Sequence, residues 1–83
     1  MIRKYRKTVL IKAEQFDGSY EMRKKYGIHE AKVPPMVIDL NSYLPTKEGD
    51  TIVGVGDWIA TGIDGEHWVI SDDIFRRIYE RCD

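Results

Sequence analysis

The segment from Asp57 to Ser71 constrains the fold more than any other. It sets Asp64-Gly65 between two runs rich in β-branched and aromatic residues, Trp58-Ile59-Ala60-Thr61 and His67-Trp68-Val69-Ile70. An Asp-Gly pair in that setting signals a hairpin, because a two-residue turn favours positive φ at both positions. Closing the turn there sets Ile63 against Glu66, Gly62 against His67, Thr61 against Trp68, Ala60 against Val69, Ile59 against Ile70 and Trp58 against Ser71. Opposed side chains share a face. One face then carries Ile59, Thr61, Trp68 and Ile70; the other carries Trp58, Ala60, His67 and Val69. Both faces are largely apolar and each holds one tryptophan. A sheet covered on both sides, or curled into a barrel, accounts for that pattern.

Other elements follow from local signals. Residues 8–16 alternate as a half-buried strand with Val9, Ile11, Ala13 and Gln15 on the inner face. Gln15 is then a buried amide that needs a hydrogen-bond partner, in a neighbouring loop or on a ligand. Ser19 caps a short helix over 20–26, and Gly27 stops it in the left-handed region. Pro34-Pro35 marks a surface connection that also holds His29 and Glu30, with the histidine solvated. Residues 36–40 read as a second strand, 41–50 as a loop and 51–55 as a third strand. Gly54 and Gly56 mark a bulge or a close approach of backbone. The tail reads as one helical turn over 72–75 followed by a closing strand. The expected fold is α+β: a small, curled or barrel-like, mostly antiparallel sheet of about five strands with one short helix.

Length and charge bound the function classes. The 83 residues make one domain, 1–83, with a basic N-terminal arm over 1–7. So small a core favours association into a homo-oligomer. Thirteen basic residues against fourteen acidic ones make nucleic acid an unexpected partner. No run approaches a membrane span, so no membrane partner is expected. The single cysteine, Cys82, forms no internal disulfide and no thiolate zinc site, and the cytoplasm is the expected compartment.

The sequence lacks the usual catalytic constellations. Gly54-Val55-Gly56-Asp57 has no downstream Gly-Lys-Ser/Thr, so it is not a phosphate loop. Ser19, Ser42 and Ser71 stand outside any nucleophile elbow. His29 and His67 show no metal-ligand spacing; no catalytic residue, metal or cofactor is expected. Binding is better supported. Aromatic faces stack on planar groups, and arginine or histidine supplies anion contacts. The candidate ligand-binding residues are Gln15, Trp58, Glu66, His67, Trp68 and Arg76, with Lys12 and Arg77 as further anion donors. The ligand class is a small anionic or nucleotide-like molecule. A surface that blocks another protein is the alternative, and a small enzyme using His67 and Glu66 is the third reading.

Both ends of the chain resemble a family of small uncharacterised phage and prophage proteins. At the start the resemblance rests on Tyr5-Arg6-Lys7, Val9-Leu10-Ile11, Ala13 and Gln15-Phe16. Further on it rests on Pro45-Thr46, Glu48-Gly49, Gly56-Asp57-Trp58-Ile59, Gly62, Gly65-Glu66, Asp73-Ile74-Phe75 and Tyr79-Glu80. Residues 17–42 are not covered, Thr8 stands in place of the family's usual Pro, and Lys12 in place of its usual Glu. The resemblance implies an accessory protein in the host cell cytoplasm. Such a protein counters host defence by sequestering a signalling nucleotide or by blocking a host protein.

Overall fold

A computed structural model describes residues 2–4, 11–31 and 33–79. Its strands form two three-stranded antiparallel sheets. The first has the order β1 (Lys12–Gln15), β5 (Trp58–Thr61), β6 (His67–Ile70); the second has the order β2 (His29–Glu30), β3 (Ser42–Thr46), β4 (Gly49–Val53). Two helices complete the fold, α1 (Tyr20–Tyr26) and α2 (Asp72–Ile78). Neither sheet closes on itself. This corrects the expectation of one curled or barrel-like sheet, while the expected mostly antiparallel arrangement of about five strands with a short helix is roughly compatible with it. Among the described residues there are six strands in two sheets, and the apolar faces are covered by separate partners.

The hairpin forms, but its register differs by one residue. Trp58 pairs with Ile70, Ile59 with Val69, Ala60 with Trp68 and Thr61 with His67. Asp64 does not take positive φ; Gly65 does, at 80°. The Gly65 N–H donates to the Gly62 carbonyl at 3.0 Å, and the Gly62 N–H donates to the Glu66 carbonyl at 2.9 Å. An i→i+3 bond with negative φ at both central residues is a type I turn over Gly62–Gly65. The left-handed Gly65 then makes a three-residue loop with a bulge. A one-residue slip moves the side chains of one strand to the opposite face. Both tryptophans therefore share a face with Ala60 and Ile70. Ile59, Thr61, His67 and Val69 share the other.

The second sheet replaces a strand expected at 36–40 and a loop expected at 41–50. Residues 36–40 join no sheet, while Ser42–Thr46 and Gly49–Val53 form a hairpin around Lys47-Glu48. Pro45 sits within β3, opposite Asp50. Counting outward from the turn-closing pair Thr46–Gly49, Pro45 falls at a position whose N–H would point away from β4. On that outer side β2 pairs only with Ser42 and Tyr43, so the missing donor costs no ladder bond.

The helices follow their caps. Ser19 Oγ accepts the Met22 N–H at 3.2 Å, and Gly27 closes α1 at φ 68°. Ser71 caps α2, and Asp72 and Asp73 form ion pairs with Arg76 and Arg77 one turn on. These i, i+4 pairs carry the helix to Ile78, where a closing strand was expected. Residues 80–83 of that expectation, residues 8–10 of the first strand and residues 1 and 5–7 of the basic arm lie outside the described residues. Gly56, at φ 100°, completes a turn that lets its N–H reach the Phe16 carbonyl at 2.9 Å.

The core lies between the sheets and α1. Phe16, Met22, Ile28, Leu44, Val53 and Ile59 form it, with Tyr26 and Val69 packed against it. Leu44 and Ile59, one from each sheet, are fully buried. Ala60 and Ile70 are buried on the far face of the first sheet. Trp58 stacks there on Phe75 of α2, with centroids 4.0 Å apart and planes at 8°.

Candidate functional site

The three strands of the first sheet align side chains in rows. On the core-facing side one row is Lys12–Thr61–His67 and the next is Glu14–Ile59–Val69. The end of α1 lies over these rows. Tyr26 donates its hydroxyl to Glu14 Oε1 at 2.6 Å, and Lys25 Nζ donates to the same oxygen at 2.9 Å. The Tyr26 bond first, and Lys25 second, hold the Glu14 carboxyl below its ordinary range. Burial, then the bond to Glu14, pushes the Tyr26 phenol up. Tyr26 meets the His67 ring edge-on at 5.1 Å, and His67 Nδ1 lies 2.9 Å from Thr61 Oγ1. The result is an open cleft of about 460 Å³ with Lys12, Lys25, Thr61 and His67 on its walls. The Glu14 charge in this cleft is matched by Lys25. Lys12 has no ion-pair partner among the described residues.

Because β6 is a sheet edge, His67 reaches a second cleft. It has a volume of about 570 Å³ and lies between β6 and the β3–β4 turn, with Lys47, Glu48, Thr51, Glu66 and Trp68 among its walls. The half-buried His67 stands where the two clefts meet. A third cleft, about 530 Å³, holds His29, Tyr43 and Asp50. There His29 stacks on Tyr43, and its two ring nitrogens reach Asp50 Oδ2 at 3.0 Å and the Glu30 carbonyl at 2.8 Å. That histidine, read as solvated from the sequence, is partly exposed and also holds polar contacts on both sides of its ring.

The predicted site residues divide between the faces. Gln15, Trp58 and Arg76 come together on the far face, around Asp72 at the start of α2. Trp58 Nε1 donates to Asp72 Oδ1 at 2.9 Å, Arg76 Nε to both carboxylate oxygens at 3.0 Å, and Gln15 Nε2 to Oδ1 at 3.4 Å. Gln15 also donates to the Gly56 carbonyl at 3.0 Å. It is exposed, not the buried amide of the sequence reading. These three donors converge on an anion, but the anion is the chain's own carboxylate. Their role is to clasp α2 to the sheet. Trp68 and Glu66 lie on the same side; a Cβ on Gly62 would run into the Glu66 carboxylate and approach the Trp68 ring to 3.0 Å. His67 points the other way, so Glu66 and His67 do not form a facing pair. The residue across from His67 is Thr61, not Gly62.

Tyr26, Lys25, Glu14, Thr61 and Lys47 were absent from the sequence-based site. The one-residue register error hid Thr61 opposite His67. Nothing in the sequence placed α1 over the Lys12–Glu14 side of β1. Among the described residues no cluster of histidine, cysteine or carboxylates is placed to hold a metal. No helix among them is long and apolar enough to cross a membrane. No protein family, curated protein or solved structure matches the chain.

Proposed function

We propose that this chain is a non-enzymatic binding module for a small anionic, nucleotide-like ligand, held where the two clefts meet at His67. The observation that carries this reading is the row Lys12–Thr61–His67, in register across three strands and open on one side. Lys12 supplies positive charge, Lys25 being matched by Glu14, and the His67–Thr61 pair supplies a directional polar contact. On the other side of His67, Trp68 and Lys47 border a cleft able to take a planar ring. A binding role is favoured over a catalytic one by the divergence of His67 and Glu66, which leaves the imidazole without an orienting carboxylate among the described residues. The resemblance to phage accessory proteins supplies the biological setting of the proposal: sequestration of a signalling nucleotide in the host cytoplasm.

The test is isothermal titration of the full chain with adenosine monophosphate and, separately, inorganic phosphate. The nucleotide should bind and phosphate alone should bind more weakly. Lys12→Ala and His67→Ala should each weaken nucleotide binding by about tenfold, the usual scale for one charge-assisted contact. Absence of heat with the nucleotide at millimolar concentration, or unchanged affinity in both variants, would overturn the assignment.

A further inference from the structure

We propose that Glu14 selects the sugar of the ligand: its second carboxylate oxygen accepts the hydroxyl groups of a ribose, so the cleft takes a ribonucleotide in preference to a nucleotide that lacks them. The inference rests on the site proposed above and adds a specificity-determining residue to it.

Glu14 is an unexpected wall for an anion site. It lies two residues from Lys12 on the same face of β1 and lines the same cleft. A bare carboxylate there would repel a phosphate. Two neighbours remove that conflict. Lys25 Nζ donates to Oε1 at 2.9 Å and offsets the charge, and the Tyr26 hydroxyl donates to the same oxygen at 2.6 Å. Tyr26 packs against the core, so this oxygen is held from the protein side. The Tyr26 bond first, and Lys25 second, keep the carboxyl ionised at neutral pH.

Both donors use Oε1. Among the described residues Oε2 accepts from no donor. The side chain is 43% exposed, and an ionised carboxylate can only accept. The cleft therefore presents one oriented acceptor whose charge is already matched. The group that suits it is a hydrogen-bond donor on the ligand.

Spacing selects the donor. Residues i and i+2 of a strand lie about 7 Å apart, two rises of ~3.4 Å. A ligand whose anionic group meets Lys12 must then carry its donor about one sugar's width away. In a nucleotide the groups at that remove from the 5′-phosphate are the ribose 2′- and 3′-hydroxyls. A carboxylate accepting from ribose hydroxyls is a recurrent mode of nucleotide recognition. Ile59, opposite Glu14 on β5, is fully buried and brings no polar group to compete for the sugar.

Calorimetry of the full chain with adenosine monophosphate and with 2′,3′-dideoxyadenosine monophosphate tests this. The wild type should bind the ribonucleotide about tenfold more tightly, the scale of one hydrogen bond to a charged acceptor. Glu14→Gln keeps the side-chain length and can still accept the Tyr26 hydroxyl, but it turns an amide donor toward the sugar. It should bring the two affinities within about twofold of each other. A second readout needs no substitution: the NMR shift of the Glu14 carboxyl carbon should move with the ribonucleotide and stay in place with the dideoxy form. If the wild type binds neither nucleotide, the site itself fails and this inference with it. Equal affinity of the wild type for both would overturn the ribose contact and leave the site standing. A preference that persists in Glu14→Gln would also overturn it, by giving the sugar to another residue.

Discussion

At the scale of single residues, two carboxylates organise the first sheet, one on each face. Asp72 collects the Trp58 indole N–H and the Arg76 guanidinium; the Trp58 bond first, then Arg76, holds its carboxyl below the ordinary range. Glu14 is lowered by Tyr26 and Lys25. A carboxyl whose folded pKa is depressed stabilises the fold above its unfolded pKa of about 4, and that contribution is lost as pH falls through the folded value. The urea midpoint should therefore drop on acidification below about pH 4. Asp72→Asn should flatten part of that drop and shift Trp58 emission to the red as α2 loosens. Tyr26→Phe removes one bond to Glu14. It should cost about 1 kcal/mol in urea unfolding and return the Glu14 carboxyl toward its ordinary range in an NMR titration.

At the scale of elements, the hairpin turn shows how one backbone angle decides a whole face. Asp64-Gly65 invites a two-residue turn, but that turn needs positive φ at Asp64, a non-glycine residue. The three-residue loop confines positive φ to Gly65. The two registers predict opposite outcomes for Ile63→Pro. In the observed type I turn, Ile63 is the first central residue, 80% exposed, and its N–H donates to no backbone carbonyl among the described residues. Proline is favoured there, so thermal stability should change by less than about 1 kcal/mol. In the tighter register Ile63 would close the ladder against Glu66, and proline would cost several times more. The helix termini follow simpler rules. Ser19→Ala should cost about 1 kcal/mol in chemical denaturation, because the Met22 N–H loses its acceptor.

For the whole molecule, the two sheets hold together through few buried side chains. Leu44 from β3 and Ile59 from β5 are fully enclosed, and Phe16, Met22, Ile28 and Val53 surround them. Truncating either central residue to alanine should cost about 2–5 kcal/mol. A domain of this size holds only about 3–5 kcal/mol in total. Leu44→Ala or Ile59→Ala should therefore leave much of the chain unfolded at 25 °C by circular dichroism. Ile59→Val should remain folded with a loss of about 1 kcal/mol.

Signals carried by a few adjacent residues were legible in the sequence: the Ser19 cap, the Gly27 stop, and the strand runs either side of Asp64-Gly65. Each depends on local backbone preferences that act within one turn or one strand. What only the tertiary structure decided was pairing and facing. Pro45 belongs to a strand because no neighbour needs its missing N–H. The more strand-like run at 36–40 stays outside both sheets. Arg76 and Trp58 serve Asp72 because α2 docks there. His67 meets Thr61 and Tyr26 because one residue of register turned it toward α1. Side-chain direction alternates with every residue of a strand, so a site built across three strands depends on registers that no single strand carries.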